Sequence, residues 1–159
     1  MNVDLRPFTH ADADWLVAAH ADLYAAEAGF DAGFGALVGE VVAAFLRDHD
    51  PACERGWIAW QSDARLGSIF CVRAAPEVAR LRLFLLMPEA RGQGVGRRML
   101  ETCMGFTRDR GYARLILDTH ESHRAACALY RRAGFTCLSS RPVRSFGQNL
   151  VQQRFEIAL

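Results

Sequence analysis

The sequence predicts a mixed α/β fold of the α+β type, a mostly antiparallel sheet with one parallel strand pair and helices on both faces. Three observations predict it. Residues 13–46 carry two segments with apolar residues at helical spacing, and short strand-like runs follow from residue 56. A strand, a glycine loop, a helix and a second strand then follow between residues 81 and 118, a right-handed crossover that makes its two strands parallel. The 159 residues are within the size of one domain, so we expect a single domain over residues 1–159.

The first third of the chain is predicted to form one strand and two helices. Residues 3–8 form the opening strand, Thr9 and Asp12 form a capping box for the first helix, and Gly29 ends it. The apolar face predicted for that helix comprises Trp15, Leu16, Ala19, Leu23 and Ala26. The second helix is more regularly patterned, with apolar residues at helical spacing from 34 to 46, and it ends before Pro51.

The rest of the chain is predicted to be mainly strands. Residues 56–60 and 66–72 flank a four-residue turn at 62–65. Residues 81–86 and 113–118 form the parallel pair, separated by a helix that ends at Gly111. Ser122 is predicted to cap a short helix that Gly134 closes, and residues 135–138 and 151–159 complete the sheet as antiparallel strands.

The most informative stretch runs from Leu81 to Gly96. Pro88 ends an apolar strand, because proline cannot donate to a sheet. Glycine then occupies every second position from Gly92 to Gly96, which lets a ligand approach the backbone, and an amphipathic helix follows. The unpaired N–H groups and the dipole at a helix start favour an anion. The sequence therefore predicts an anion site between this strand and this helix.

Two common anion-binding loops do not fit this stretch. A phosphate-binding P-loop needs a Gly-Lys-Ser/Thr ending, and a dinucleotide fingerprint needs a third glycine where Arg97 stands. The pattern Arg/Gln-x-x-Gly-x-Gly is met by Arg91, Gly94 and Gly96. With the apolar strand before it and the long helix after it, this stretch resembles the acetyl-CoA loop of the GCN5-related N-acetyltransferase (GNAT) family. A tight glycine turn without a ligand is the structural alternative.

The resemblance implies a donor, a fold and a set of binding residues. In the GNAT family the loop amides hold the CoA pyrophosphate, and the preceding strand pairs with the pantetheine arm. Acetyl-CoA is therefore the implied acetyl donor, and the fold implied is the GNAT-like arrangement already predicted from the elements. The residues implied to bind it are Leu85, Leu86, Arg91, Gly92, Gln93, Gly94, Val95, Gly96 and Arg97.

A second motif extends the resemblance. Residues 126–135 are similar to the family pattern Ala-x-x-Leu-Tyr-x-x-x-Gly-Phe, which places Tyr130 at the position of the family's proposed general acid. A phenol can give a proton to the departing thiolate, since its ordinary pKa is near 10. An ordinary half-buried helix tyrosine is the alternative. The family often has asparagine, touching CoA, at the position of His123, so this contact is not implied here.

The acceptor amine is predicted to meet the junction of the first two helices, which in the family walls the acceptor side. Glu27 lies three residues after Tyr24, so the two can share a helical face. The Glu27 carboxylate could bind an ammonium group or take its proton, directly or through water. The alternative is that Glu27 caps or solvates the helix end and Tyr24 serves packing.

We therefore predict an acetyl-CoA-dependent N-acetyltransferase in which a primary amine, on a small molecule or a peptide, attacks the thioester directly. The backbone amide near Leu86 is expected to polarise the thioester carbonyl. The rival is a regulatory module that senses acyl-CoA without turnover. More narrowly, the N-terminal helices and residues 144–150 resemble the acetyltransferase half of MarR-type regulator fusions, whose DNA-binding part is expected to be absent here.

Composition argues against several other classes. A net charge of +1 gives no basic field for nucleic acid, and no apolar run is long enough to span a membrane. Five scattered cysteines without Cys-x-x-Cys spacing indicate reduced thiols and a cytoplasmic protein. A homodimer is a possible assembly. His120 and His123 do not have the spacing of a helical zinc site, so no metal is expected, and their segment is predicted to rim the CoA cleft.

Overall fold

Residues 2–159 fold around one seven-stranded sheet with four α-helices. The computed structural model describes residues 2–159. The strands are β1 (Asp4–Pro7), β2 (Arg55–Gln61), β3 (Ala64–Ala75), β4 (Val78–Leu86), β5 (Arg114–His120), β6 (Thr136–Ser145) and β7 (Gln148–Ala158). The helices are α1 (Ala13–Ala28), α2 (Ala32–Asp48), α3 (Val95–Asp109) and α4 (Arg124–Ala133). The strand order is β1-β2-β3-β4-β5-β7-β6, and every neighbouring pair is antiparallel except β4 with β5. The predicted fold class is confirmed.

The two faces of the sheet carry separate apolar clusters. Residues of α3 and α4 pack on one face, and residues of α1 and α2 pack on the other. Side chains alternate between the faces of a strand, and β2 shows this directly. Trp57 and Ala59 belong to the α3–α4 cluster, whereas Ile58 between them belongs to the α1–α2 cluster. No helix within residues 2–159 is long and apolar enough to cross a membrane.

A bulge interrupts β4 just before the predicted site. Leu83 has φ +50°, a left-handed conformation that residues other than glycine rarely adopt. The pairing of β4 with β3 shifts register at this point, and the Ser68 hydroxyl donates to the Leu83 carbonyl at 2.6 Å. The hydroxyl thereby satisfies a carbonyl at the irregular position of the ladder.

Beyond the bulge, β4 separates from its parallel neighbour. β4 and β5 pair only where Val78–Arg80 lies beside residues 114–116, although β4 continues to Leu86 and β5 to His120. The far ends of these two strands therefore diverge, and the side of β4 that faces β5 has no strand partner there. This opening lies at the carboxyl ends of both strands, where ligands bind in open α/β sheets.

Four predicted details of the elements are wrong. Ser122 is not the N-cap of α4, because the chain enters that helix one residue later, at His123. The predicted turn at residues 62–65 is shorter, since Gln61 pairs with Ala64 and leaves only two residues between the strands. Ala26 is exposed, because α1 turns this side away from the sheet at its end. Strand β6 extends to Ser145, well past residue 138, and its exposed polar residues lack the apolar alternation that indicates a strand.

Candidate active site

A cleft of about 1410 Å³ fills the opening between β4 and β5. Its walls come from the end of β4, the loop before α3, one side each of α3 and α4, and the last turns of α1. Gln148, Asn149 and Leu150, at the start of β7, line it as well. The part between α1 and β7 is called the α1 end of the cleft below, and the part beside α3 is called the loop end.

The glycine loop lies at the loop end and leaves room for a ligand. Gly92 and Gly94 have φ +74° and +79°, and Gly94 is the N-cap of α3. A Cβ built on either residue would meet no atom within 4 Å. The first amides of α3 have no intrahelical partners, so they and the helix dipole can hold an anion there. These features fit the diphosphate of CoA, and glycine is needed because the backbone conformation is left-handed.

Most of the residues predicted to bind acetyl-CoA line the cleft, namely Leu85, Leu86, Arg91, Gly92, Gly94, Gly96 and Arg97. Gln93 and Val95 do not. The Gln93 side chain donates to the Glu89 carbonyl at 3.2 Å, and the Val95 side chain is buried in the core below α3. Both residues still contribute backbone to the loop and to the first turn of the helix.

Leu86 also presents its backbone to the cleft. The amide of Met87 donates to the Leu66 carbonyl on β3 at 2.8 Å. Because successive residues of a strand alternate direction, the amide and carbonyl of Leu86 point the other way, toward the opening. The Leu86 carbonyl accepts from Arg91 Nε at 3.1 Å, and its amide is left for a ligand.

Tyr130 lies behind the cleft rather than in its lining. It is 4% exposed, and its ring packs near Phe84, Phe135 and Phe155 with centroids 5.6 to 6.2 Å apart. Burial raises the pKa of the Tyr130 phenol far above its ordinary value, so the hydroxyl is protonated at neutral pH. Phe84 does line the cleft, and its ring centroid lies 6.2 Å from that of Tyr130.

Glu27 lies in the cleft lining but is bound to Arg91. Its two carboxylate oxygens accept from Arg91 Nη1 and Nη2 at 2.8 and 2.9 Å. The hydrogen bonds from Arg91 hold the pKa of the Glu27 carboxyl below its ordinary value. This pair joins the end of α1 to the loop before α3, so the two walls of the cleft are connected by charge-assisted hydrogen bonds.

Tyr24 and His123 form the side wall where α1 approaches α4. Their rings are edge to face, with centroids 5.1 Å apart, and both residues line the cleft. Burial raises the pKa of Tyr24 to about 12, with the Glu27 charge acting in the same direction. Burial lowers the pKa of His123, His120 lowers it further, and Glu27 opposes both. Ser122 and His123, in the segment predicted to rim the CoA cleft, line this cleft, whereas His120 stays outside the lining.

Sequence reasoning missed part of the lining. Arg108 on α3 and Arg124 and Arg132 on α4 also line the cleft, and none of them makes a salt bridge within residues 2–159. They add positive charge to the walls that α3 and α4 contribute to the cleft. Their side chains alternate with apolar residues on α3 and α4, a pattern that in the sequence is typical of an ordinary solvated helix face.

Within residues 2–159 no cluster of three or more His, Cys, Asp or Glu side chains could hold a metal ion.

A family model and several known proteins match this chain. The model of the acetyltransferase (GNAT) family matches residues 19–135, which include the glycine loop and the whole of α4. N-acetyltransferase 8 of Homo sapiens is 36% identical over 90 residues, which are 52% of this chain and 40% of that protein. The 5-NmdU N-acetyltransferase of Pseudomonas phage PaMx11 is 33% identical over 91 residues, or 55% of this chain and 62% of that protein. The chain thus spans less than two thirds of the length of these relatives.

Solved structures share the fold over nearly the full chain. A ribosomal-protein-alanine N-acetyltransferase from Brucella melitensis superposes with a TM-score of 0.79 at 20% identity, covering 98% of this chain and 99% of that one. An acetyltransferase from Salmonella typhimurium, solved with its cofactor acetyl-CoA, gives a TM-score of 0.78 at 17% identity, covering 100% and 95%. At these identities the likeness shows the fold alone.

Proposed function

Because the chain belongs to the acetyltransferase (GNAT) family, we propose that it transfers the acetyl group of acetyl-CoA to a primary amine. One observation carries the proposal: β4 and β5 diverge beside a glycine loop that opens α3. The opening offers an unpaired strand side to an extended ligand, and the loop offers amides to a diphosphate. A single molecule with a long amide-bearing arm and a diphosphate can use both features at once.

We assign the binding of acetyl-CoA to the end of β4 and the loop. Leu85 and Leu86 would lie along the arm, and residues 91–97 would hold the diphosphate. Arg108, Arg124 and Arg132, which make no salt bridge within residues 2–159, add positive charge to the cleft for the same ligand. When bound, acetyl-CoA supplies an acetyl group activated as a thioester.

The roles of the chain's own residues follow from this placement. The Leu86 amide, turned toward the opening, is positioned to donate a hydrogen bond where negative charge develops on the thioester oxygen. The protonated Tyr130 hydroxyl is the proposed proton donor to the departing sulfur. The Glu27 carboxylate, paired with Arg91, lies at the α1 end of the cleft, where we expect the acceptor ammonium to enter.

The proposal is tested by measuring CoA release. The protein is incubated with acetyl-CoA and a panel of primary amines that includes small polyamines, amino acids and peptides with free N-termini. We expect amine-dependent release of the CoA thiol, with a matching mass increase of one acetyl group on the amine. Acetyl-CoA without amine is the control for simple hydrolysis.

Binding without turnover would support the rival role. If acetyl-CoA raises the melting temperature but no amine is acetylated, the chain is an acyl-CoA-sensing module rather than an enzyme. A cytoplasmic location, a homodimer and the narrower resemblance to MarR-type fusions stay predictions from the sequence.

A further inference from the structure

His123 occupies a fixed position between the α1 end and the loop end of the cleft. It is the N-cap of α4, directly beyond β5, and its backbone is held at both ends. Its amide donates to the His120 carbonyl and its carbonyl accepts from the Cys127 amide, each at 2.9 Å. The ring lines the cleft where α4 meets the Tyr24 ring of α1. The imidazole therefore stands on a rigid support beside the space assigned to the acceptor.

The groups packed around the His123 ring favour its neutral form, which can act as a base. From β5, His120 faces it at 5.5 Å between centroids, and Thr119 Oγ1 lies 3.5 Å from Nδ1. From α1, Tyr24 and Glu27 face it, and the Glu27 charge is balanced by Arg91. Burial, with His120 in support, keeps the pKa of His123 below its ordinary value, so the ring is neutral at neutral pH. When Nδ1 carries the proton and shares it with Thr119, Nε2 keeps its lone pair.

The other titratable groups in this part of the cleft are less suited to take a proton. Both oxygens of Glu27 are bonded to Arg91, and these bonds lower the pKa of the carboxyl. A carboxylate held in this way is a weak base, since accepting a proton would break a bidentate ion pair. Tyr24 is protonated at neutral pH, because its pKa is about 12. His120 does not line the cleft, and its Nδ1 is buried without a hydrogen-bond partner within residues 2–159.

We propose that His123 is the general base that takes a proton from the acceptor ammonium. The inference rests on the acetyltransferase function proposed above. Nε2 accepts one proton from R–NH3⁺, which leaves R–NH2 with a lone pair. That lone pair bonds to the thioester carbon, and as the carbon–sulfur bond breaks Tyr130 gives its proton to the sulfur, which leaves as a thiol. The nitrogen gives up a second proton, which restores the Tyr130 hydroxyl. The His123 proton passes to solvent, so the products are the acetamide, CoA thiol and one proton.

His123→Asn and His123→Gln test the proposal, because both keep a polar side chain and remove the base. With the best amine of the panel, kcat/KM for the amine is measured across pH. We expect it to fall on the order of 10²-fold at neutral pH, the low end of general base catalysis. We also expect the inflection of the wild-type profile on its acid side to disappear. KM for acetyl-CoA and its stabilisation of the fold should stay at wild-type values.

Two matched variants separate His123 from its neighbours. His120→Asn makes the same chemical change one contact away. It should keep the rate at neutral pH and the acid-side inflection, which moves to higher pH because His120 lowers the pKa of His123. Glu27→Gln removes the carboxylate without changing its shape. It should keep the inflection, even if the loss of charge raises KM for the amine.

Three results would overturn the inference. The first is an unchanged kcat/KM with its inflection intact in His123→Asn. The second is a loss confined to acetyl-CoA affinity, which would make His123 a binding residue. The third is disappearance of the inflection in Glu27→Gln or His120→Asn instead. Transfer at the wild-type rate in His123→Asn defeats this inference alone, whereas absence of transfer in the wild type defeats the proposed function with it.

Discussion

Two tyrosines near the cleft, Tyr24 and Tyr130, could each donate a proton to the departing sulfur. The family pattern indicates Tyr130, which is buried and outside the cleft lining, whereas Tyr24 lines the cleft and touches the His123 ring. Burial raises the pKa of both above the ordinary phenol value, so each is protonated at neutral pH and is a weaker acid than a free phenol. Geometry and motif therefore favour different residues as the acid, and a pair of matched substitutions can decide between them.

Tyr130→Phe and Tyr24→Phe each keep the ring and remove the hydroxyl. If Tyr130 donates to the sulfur, Tyr130→Phe should lower kcat about 10²-fold while KM for acetyl-CoA changes little. Tyr24→Phe should then act mainly on KM for the amine. The measurement is steady-state kinetics with both substrates varied, and urea unfolding checks that each variant is folded.

The opposite distribution would reassign the acid. A full loss of kcat in Tyr24→Phe, with a wild-type rate in Tyr130→Phe, would make Tyr24 the donor and Tyr130 a packing residue. Wild-type kcat in both variants would mean that water protonates the sulfur.

At the level of elements, the start of α3 can be tested apart from the stability of the helix. Gly94→Trp places a large side chain in the open space in front of the first amides of the helix. Acetyl-CoA at a hundredfold excess over its Kd should stabilise the wild type by about 2.7 kcal/mol, and this stabilisation should vanish in the variant. Thermal unfolding with and without acetyl-CoA measures it.

Gly111→Trp supplies the matched control. Gly111 also has φ +79° and no atom within 4 Å of a built Cβ, but it lies beyond the other end of α3. Both substitutions carry the same left-handed backbone cost, about 1–2 kcal/mol. Gly111→Trp should lose that stability and keep the stabilisation by acetyl-CoA. An intact stabilisation in folded Gly94→Trp would contradict the assignment of the loop.

The elements themselves could mostly be predicted from the sequence. Their periodicity fixes which face is apolar, and the crossover from β4 through α3 fixes the parallel pair. The bulge at Leu83 could not be predicted, because a left-handed leucine leaves no local signal and depends on the Ser68 hydroxyl across the ladder. The pairing of Glu27 with Arg91 joins positions 64 residues apart, so only the folded chain reveals that the predicted acceptor carboxylate is held by the predicted CoA loop.

At the level of the whole molecule, the α1–α2 layer contains a buried histidine that no pattern in the sequence predicts. His20 is 2% exposed and stacks near Tyr24 and Phe34. Its Nδ1 lies 2.8 Å from the Leu16 carbonyl, and its Nε2 is buried without a partner within the described residues. An apolar helix face with one histidine reads from the sequence as a polar interruption, yet here the ring is part of the packing between α1 and α2.

This histidine should make the stability of the fold depend on pH. Burial lowers the pKa of His20 from 6.5 to about 4, against the backbone hydrogen bond to Leu16. The unfolded chain therefore binds a proton at a higher pH than the folded chain does. The neutral, buried ring therefore contributes to the free energy of unfolding, and this contribution is fully present above the unfolded pKa of 6.5. It is lost as pH falls toward 4, by on the order of 3 kcal/mol in all. The pKa values of His120 and His123 are also lowered, so these residues make the loss of stability with falling pH steeper.

His20→Phe keeps a planar ring and removes the titration. The free energy of unfolding, measured in urea between about pH 7 and about pH 4, should fall less steeply in this variant than in the wild type. The comparison uses the slope, because a larger ring shifts the whole curve without changing its dependence on pH. His10→Asn, at an exposed position, should follow the wild-type curve. Equal slopes for His20→Phe and the wild type would mean that water reaches His20 and the buried ring ionises freely.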